Sequence, residues 1–312
     1  MDGHRDGTQD PVVAVVGATA AGKSDLAVEL ALRLGAASGG AEIVNADSMQ
    51  LYRGMDIGTA KLAPEERRGV PHHLLDIWDV TRTANVAEYQ ELARARIDGL
   101  RERGATPVLV GGSGLYVRAA LDELDFPGTD PAIRARLEAE LEERGPAPLY
   151  ARLSESDPRA AEAILPGNGR RIVRALEVIE LTGRPFTATL PEHTSRYPCV
   201  QIGVRVPRPE LDARIADRVD RMWSAGLVEE VRALRERGLA EGRTASRALG
   251  YAQVLHYLEG DCDEEEARSE TVRATRRFAR RQESWFRRDP RVRWLDHDDP
   301  GLVARALELV ST

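Results

Sequence analysis

Cysteine is scarce in this chain, and long apolar runs are missing. The two cysteines, Cys199 and Cys262, stand far apart and have no second cysteine or histidine at metal-ligand spacing, so we expect free thiols rather than a disulfide framework or a zinc site. No stretch approaches the roughly 20 consecutive apolar residues that cross a bilayer. The first ten residues lack the basic start and apolar run of a secretory signal. We therefore expect a soluble, cytosolic protein with no membrane partner.

An excess of positive charge is also missing. The 312 residues include 44 basic and 51 acidic side chains, which gives a formal net charge of −7 at pH 7. This balance excludes a uniformly basic nucleic-acid-binding protein. It does not exclude a locally basic face, because phosphate contacts depend on local charge and not on the total.

The patterns along the chain predict an α/β fold. Apolar or β-branched runs predict strands at residues 11–16, 42–45, 72–76 and 107–110, and helical spacing follows at 22–34 and 86–103. Strands that alternate with helices imply a parallel sheet with helices on both faces.

A change of pattern near residues 126–128 predicts an inserted domain. Residues 130–182 have helical spacing interrupted by prolines, a strand at 199–206 returns to the sheet, and helices dominate from there to the C-terminus. We divide the chain into a first core part at 1–124, a helical insertion at 125–195 and a second core part at 196–312.

A phosphate-binding loop follows the first predicted strand. It matches G-x-x-x-x-G-K-[ST] in full, with the residues Gly17, Ala18, Thr19, Ala20, Ala21, Gly22, Lys23 and Ser24. Backbone N–H groups of such a loop surround phosphate oxygens, and the following helix N-terminus adds partial positive charge. Lys23 places a charge on the phosphates, and the Ser24 hydroxyl can ligate Mg²⁺. The strand-to-helix context disfavours a chance glycine-rich turn, so we predict a P-loop NTPase-like parallel sheet flanked by helices, with an inserted helical domain.

The loop alone does not name the reaction. A small-molecule kinase needs an acid at the end of a later strand to organise Mg²⁺; Asp76 could serve, whereas residues 108–111 end in glycines. Asp47 follows the second predicted strand, where a parallel sheet places ligands, and could act as a general base. A competing interpretation is that Asp47 only caps the next segment.

The run DSMQLYRGMDIGTAK at residues 47–61 resembles a signature of the tRNA dimethylallyltransferases, which prenylate the exocyclic N6 of adenosine 37 next to the anticodon. Further matches follow in the family's order and span nearly the whole chain. They are VPHHLLD at 70–76, GGSGLY at 111–116, RIVRALE at 171–177, SRALGY at 246–251 and RRQESWFR at 280–287.

The chain departs from the family pattern at three positions. Ala18 stands where the family usually has proline, Ser113 where it has threonine, and Ala252 where it has arginine. Ser113 keeps a hydroxyl, whereas Ala252 removes a side chain that could contact a phosphate or tRNA. The C-terminal zinc finger of eukaryotic members is absent, which indicates a bacterial form.

The resemblance implies that the loop holds the diphosphate of dimethylallyl diphosphate. Lys23, Mg²⁺ at Ser24, Arg247 and the Thr19 hydroxyl would stabilise the leaving diphosphate. Asp47 would accept the proton of the attacking amine.

The resemblance also names the tRNA contacts. The target base must be turned out of the anticodon loop to reach the diphosphate, and the family places Asp47, Ser48, Met49 and Gln50 around it, with Ser113 near the same nucleotide. Backbone contacts are expected from arginines, which are Arg134, Arg170, Arg171, Arg174, Arg277, Arg280 and Arg281.

The arginine-rich segment near the C-terminus supports such contacts independently. Helical spacing puts Arg273, Arg276, Arg277, Arg280, Arg281, Arg287 and Arg288 on one broad side and Phe278, Gln282 and Trp285 on another, and we expect the two aromatic side chains to pack inward. A solvated surface helix is the competing interpretation of this segment alone.

Two further functions compete with the transferase on sequence grounds, a P-loop kinase and a nucleotide-regulated RNA-binding protein. A kinase, however, has no need of the run at 47–61. His72 and His73 are interpreted as structural, and Tyr52 and Tyr116 could line a prenyl pocket or fill the core. We expect a monomer that binds the anticodon stem-loop of tRNA.

Overall fold

The computed structural model describes residues 11–37, 39–186 and 193–311. The expectation that the first ten residues are not a signal peptide lies outside the described residues.

The described residues contain one six-stranded sheet, which confirms the predicted α/β class. Its strands are β1 (Val12–Val16), β2 (Ala41–Asn45), β3 (His72–His73), β4 (Thr106–Gly111), β5 (Cys199–Arg205) and β6 (Val292–Asp296). All neighbouring strands are parallel, in the order β3-β2-β4-β1-β5-β6. Every residue of the central strand β1 is buried, as expected for an apolar run covered on both faces.

The helices are α1 (Lys23–Ala37), α2 (Val86–Glu102), α3 (Gly114–Leu121), α4 (Pro131–Arg144), α5 (Pro146–Ser156), α6 (Pro158–Ala163), α7 (Gly169–Thr182), α8 (Arg208–Ser224), α9 (Leu227–Glu236), α10 (Tyr251–Glu259), α11 (Glu264–Phe286) and α12 (Leu302–Ser311). One apolar cluster joins α1, α8 and α12 to the strands through Leu30, Ile215, Ala306, Val15 and Ile202. In the described part of the chain, no helix is both long enough and apolar enough to cross a membrane.

The strand predicted at residues 72–76 is shorter than expected. It pairs with β2 only through His72 and His73. Leu74 and Asp76 have φ angles of +61° and +56°, and this left-handed conformation is incompatible with a continued strand. The prediction of the strand was right, and its length was wrong.

Helices dominate after residue 206, as the sequence predicts, but one strand that the sequence pattern did not predict also lies there. Strand β6 adds a parallel edge to β5. Its sequence VRWLD carries charged residues at two of five positions, which is typical of an edge strand and hides the strand pattern. Asp296 at its end accepts two hydrogen bonds from Arg205 at the end of β5, at 2.6 and 2.9 Å.

The chain forms two compact units, Met1–Asp122 with Ser195–Thr312, and Glu123–Thr194. The second unit contains α4 to α7 around its own apolar cluster, which includes Leu137, Leu153 and Ile172. Pro131, Pro146 and Pro158 each begin a helix, where the missing proline N–H costs nothing. The prolines that interrupt the sequence pattern therefore mark helix starts.

An ion-pair cluster joins Asp122 and Ser195, the residues of the first unit between which the second unit is inserted. Arg291 donates to Asp122 Oδ1 and to Ser195 Oγ, both at 2.7 Å, and Arg118 Nε donates to Asp122 Oδ2 at 2.6 Å. Asp122 is buried, and its carboxylate together with that of Asp289 raises the pKa of Arg291. The cluster fixes where the chain leaves and re-enters the sheet-containing unit.

We predict that Arg291→Ala lowers the free energy of unfolding by roughly 3 kcal/mol, because removing one partner leaves the buried Asp122 with Arg118 alone. Urea denaturation measures the change. Arg288→Ala is the control, because Arg288 is an exposed arginine without an ion pair among the described residues, and should change the value by less than about 0.5 kcal/mol. Equal losses in both variants would contradict the structural role of the cluster.

Candidate active site

The loop at residues 17–24 connects β1 to α1 and folds around its own lysine. Gly17 and Gly22 have φ angles of +137° and +90°, a region that favours glycine. A Cβ at Gly17 would lie 3.0 Å from the backbone oxygen of Val204, so β5 closes that side of the loop. Lys23 Nζ donates to the carbonyl oxygen of Ala18 at 2.7 Å. The lysine is thereby placed across the loop, as a phosphate-binding lysine requires.

Lys23 shares its surroundings with a second cation. Burial and the nearby Arg218 lower the pKa of Lys23 to about 8, while Asp47 acts in the opposite direction. Burial also lowers the pKa of Arg218, again opposed by Asp47. Two cations in a poorly solvated place repel one another, and a polyvalent anion between them would remove that repulsion. The electrostatics of this loop therefore favour a ligand such as diphosphate.

Arg218 is the arginine that reaches the loop. Its Nη1 donates to Thr19 Oγ1 at 3.4 Å. Arg247, the candidate from sequence, is exposed at the end of a 3-10 turn at Ala245–Arg247, and its side chain forms no hydrogen bond or ion pair within the described part of the chain. Among the described residues, Arg218 and not the predicted Arg247 contacts the phosphate-binding loop.

The sequence did contain an indication of Arg218. In α8, Leu211, Ile215 and Val219 are buried, so helical spacing places residue 218 at the border of the apolar stripe. An arginine at such a position is either paired or functional. Only its distance from the loop along the sequence hid this role.

Asp47 stands just after β2, held by its neighbours. Asn45 accepts from the Asp47 N–H at 2.9 Å and donates to the Asp47 carbonyl oxygen at 2.9 Å. Asp47 Oδ1 accepts from the Met49 N–H at 2.9 Å, and within the described residues Oδ2 has no hydrogen-bond partner. The carboxylate thus caps the following turn with one oxygen, while the second oxygen can accept a proton. Capping and general-base chemistry are compatible here.

Two tyrosines contribute to the surroundings of Asp47. The rings of Tyr89 and Tyr116 lie 4.6 Å apart, and the Tyr89 hydroxyl donates to the Asn45 carbonyl oxygen at 2.9 Å. Burial raises the pKa of both phenols, and Asp47 adds to the effect. Both stay neutral at physiological pH. Tyr52, in contrast, is fully buried, packs edge-on against Trp78 and donates to the Arg82 carbonyl oxygen, so it fills the core.

Two predicted base-contacting segments meet beside this carboxylate. Ser113 Oγ lies 3.4 Å from both the backbone nitrogen and the Oγ of Ser48. Gln50 turns back to its own loop, where Nε2 donates to the Thr59 carbonyl oxygen at 3.1 Å. Met49 is half-buried. The structure thus joins Ser48 and Ser113, while the Gln50 amide group bonds to its own loop.

The second half of the run at 47–61 has a structural task. The Glu230 carboxylate accepts from three successive N–H groups, of Asp56, Ile57 and Gly58, at 3.1, 2.8 and 3.3 Å. It also accepts from the Tyr251 hydroxyl at 2.5 Å. A Cβ at Gly58 would lie 2.4 Å from the Tyr251 ring. The residues around 56–58 and the Gly-Tyr pair at 250–251 therefore belong to one packing unit.

Asp76, the candidate Mg²⁺-binding acid of a kinase, forms an ion pair with Lys61. Lys61 Nζ donates to Asp76 Oδ1 at 2.6 Å and to the Tyr52 carbonyl oxygen at 3.0 Å. His72 Nδ1 lies 2.8 Å from the Val70 carbonyl oxygen, and His73 Nε2 lies 2.5 Å from Glu42 Oε2. Both histidines have local partners, in agreement with the structural interpretation.

The arginine-rich segment is helix α11, and its arginines differ in their partners. Arg277 pairs with Glu270 at 2.6 Å and the Arg281 guanidinium lies 5.6 Å from the Phe278 ring centre, whereas Arg280 is exposed and forms no ion pair within the described residues. Trp285, predicted to pack inward, is 38% exposed. The prediction for Trp285 was wrong because one edge of its ring lies against the backbone of Gly114 and cannot sink further.

The arginines of the second unit fall into two groups. Arg170 and Arg171 are exposed in the first turn of α7. Arg134 and Arg174 both pair with the fully buried Glu177. These two guanidinium groups neutralise a buried carboxylate, and a contact of either with tRNA stays a prediction.

The fold and the site define a class of protein: a P-loop-like parallel sheet whose glycine-rich loop lies at the same edge as a carboxylate. Comparison with known proteins narrows the class further. The chain belongs to the IPP transferase family, whose family model matches residues 50–289. The resemblance inferred from sequence is confirmed.

Close relatives cover almost the whole chain. It is 76% identical over 299 residues to a tRNA dimethylallyltransferase of Thermobifida fusca. The aligned residues make up 96% of this chain and 94% of the relative. It is 75% identical over 298 residues to a tRNA dimethylallyltransferase of Streptomyces coelicolor. Here the aligned residues make up 96% of this chain and 93% of the relative.

Solved structures agree with this assignment. The tRNA isopentenylpyrophosphate transferase of Bacillus halodurans matches with a TM-score of 0.70 at 42% sequence identity. The match covers 97% of this chain and 95% of the Bacillus halodurans chain. A eukaryotic dimethylallyltransferase, solved while acting on tRNA, matches with a TM-score of 0.79 at 25% identity and covers 93% of this chain and 74% of its own.

The shifted pKa of Lys23 predicts a pH dependence of anion binding. Below about pH 8 the ammonium is charged and this group adds no dependence. Above that pH the free protein loses the proton, so the affinity for inorganic diphosphate should fall by up to about tenfold per pH unit. Calorimetric titration between pH 7 and 9.5 measures the effect.

Arg218→Met separates this effect from the titration of diphosphate itself. Because Arg218 lowers the pKa of Lys23, the variant should bind diphosphate more weakly but begin to lose affinity at a higher pH than the wild type. The same onset in both proteins would refute the coupling of the two cations.

Proposed function

We propose that this protein transfers a dimethylallyl group from dimethylallyl diphosphate to N6 of adenosine 37 in tRNA and releases diphosphate. The single observation that carries the proposal is that Lys23 and Arg218 both contact the loop at residues 17–24, at the edge of the sheet where Asp47 follows β2. Cations suit a diphosphate leaving group, and a carboxylate suits an amine that must lose a proton. The names of the relatives specify a dimethylallyltransferase that acts on tRNA, which supports the proposed group and its acceptor.

The chemistry follows from this arrangement. The allylic C–O bond breaks, the bonding electrons go to the bridging oxygen of diphosphate, and the adenine N6 forms the new C–N bond. Lys23, the Thr19 hydroxyl and the N–H groups of the loop receive the growing negative charge. We assign the supporting arginine to Arg218 and not to Arg247, since Arg218 contacts Thr19. Asp47 Oδ2 takes the proton that N6 loses.

Ser24 would hold Mg²⁺ in this reaction. Its hydroxyl follows Lys23 at the N-terminus of α1, the position from which a P-loop serine ligates the ion. Among the described residues, no group of three His, Cys, Asp or Glu side chains could hold a metal. The hydroxyl therefore fits an ion whose other ligands are substrate oxygens and water, as Mg²⁺ prefers. Bound there, it would neutralise charge on the leaving diphosphate.

The tRNA contacts divide by task. Asp47, Ser48, Met49 and Ser113 form the edge at which the turned-out base would meet the diphosphate. The exposed Arg280 and Arg281 on α11, with Arg170 and Arg171 on α7, would bind backbone phosphates. Since tRNA is the substrate, we assign the reaction to the cytoplasm. Action as a monomer stays a prediction.

The first experiment incubates the protein with radiolabelled dimethylallyl diphosphate, Mg²⁺ and an unmodified anticodon stem-loop. We expect label in the RNA, and we expect none when adenosine 37 is replaced by guanosine. ATP-dependent phosphorylation of a small metabolite, without label in the RNA, would instead establish the kinase alternative.

Asp47→Asn tests the proposed base. The amide oxygen can keep the hydrogen bond from the Met49 N–H, so the local fold should survive, while proton acceptance is lost. We expect kcat to fall by about 10² to 10⁴ with the Kd for the stem-loop changed by less than about threefold. An unchanged kcat would remove Asp47 from the mechanism.

A further inference from the structure

One buried glutamine joins the loop at residues 17–24, called the diphosphate loop below, to the loop after β4. Gln282 lies on α11 and is 5% exposed. Its Oε1 accepts from the Thr19 N–H at 2.8 Å, and its Nε2 donates to the Gly112 carbonyl oxygen at 2.9 Å. Thr19 belongs to the diphosphate loop, and Gly112 precedes Ser113 in the loop after β4. Only a side chain with both an acceptor and a donor can make this bridge, and an amide has both.

The bridge uses a loop N–H group that would otherwise be free. In a phosphate loop the backbone N–H groups converge on the anion, but the Thr19 N–H is directed to Gln282. The diphosphate loop is therefore anchored to α11 from one side, in addition to the contact of Arg218 with Thr19 Oγ1.

The glycines of the loop after β4 leave no room for side chains. A Cβ at Gly112 would lie 2.2 Å from Gln282 Nε2, and a Cβ at Gly111 would lie 2.3 Å from the Ala46 carbonyl oxygen. A Cβ at Gly114 would lie 2.1 Å from Trp285 Nε1, so the residue three positions after Gln282 holds the other end. Ser113 is the only one of the four residues with a side chain.

Glycine at these positions thus permits close contacts on both sides of Ser113. The Gly111 contact ties the loop to the residue before Asp47, and the Ser113 contact ties it to Ser48. Gln282 connects this assembly to the diphosphate loop. Reacting atoms must approach to within roughly 3 to 3.5 Å, and a misplacement of about 1 Å can cost about 100-fold in rate.

We infer that Gln282 is a positioning residue, which sets the separation between the diphosphate loop and the Ser48–Ser113 pair and thereby aligns the allylic carbon with adenine N6. This inference rests on the proposed function. Gln282 acts through Thr19 and Gly112 and need not touch either substrate.

Gln282→Met tests the inference, because it keeps the length of the side chain and removes both hydrogen bonds. We expect kcat to fall by about 100-fold while the KM values for dimethylallyl diphosphate and the stem-loop change by less than about threefold. Gln282→Asn is the second variant. It keeps a polar amide in the buried site but is one methylene too short to reach both loops, so kcat should fall at least tenfold.

Gln201→Met is the matched control. Gln201 is likewise buried, at 3% exposure, but lies in β5. Its substitution makes the same chemical change in a buried side chain whose Nε2 has no hydrogen-bond partner among the described residues, and should leave kcat per folded molecule unchanged. A loss of kcat in the Gln201 variant equal to that of Gln282→Met would reduce Gln282 to a stability role.

The outcomes separate this inference from the proposed function. Wild-type protein that fails to label the stem-loop refutes the proposed function itself. Wild-type protein that labels it, with kcat of either Gln282 variant within threefold of the wild-type value, refutes the positioning role alone.

Discussion

The repulsion between Lys23 and Arg218 is the constraint on which the rest of the site depends. Both cations are partly buried, and burial lowers the pKa of each while Asp47 partly compensates. Such an arrangement costs folding free energy unless an anion neutralises it. The surrounding structure keeps these groups in place. Strand β5 packs against Gly17, helix α8 carries Arg218, and the Asn45 side chain forms hydrogen bonds to the backbone of Asp47. The sheet brings them together because the carboxyl ends of β1, β2 and β4 meet at one edge.

Much of this architecture could be predicted because its determinants are local. The strand, the phosphate loop and the helix after it are contiguous, and the alternation of strands with helices implies the parallel sheet. Asp47 and Ser113 follow strands whose ends must converge, so their proximity to the loop was also predictable. The two ends of the run at 47–61 looked equally functional in sequence, although the structure gives Gly58 the task of packing against Tyr251.

The remainder depended on tertiary contacts that no local pattern reveals. Arg218 reaches Thr19 across 199 positions and Gln282 reaches it across 263. Strand β6 was not predicted because an edge strand tolerates charge. Arg134 and Arg174 were predicted to contact tRNA, and only the structure reveals that both pair with the buried Glu177.

The affinity for inorganic diphosphate in a matched pair of arginine variants tests the central claim most directly. At pH 7, Arg218→Met should weaken the Kd by at least about tenfold, because one of two cations facing the anion is removed and a charge-assisted hydrogen bond is worth roughly 1.5 to 3 kcal/mol. Arg247→Met should change the Kd by less than about twofold. A large loss with Arg247→Met and none with Arg218→Met would contradict the site described above.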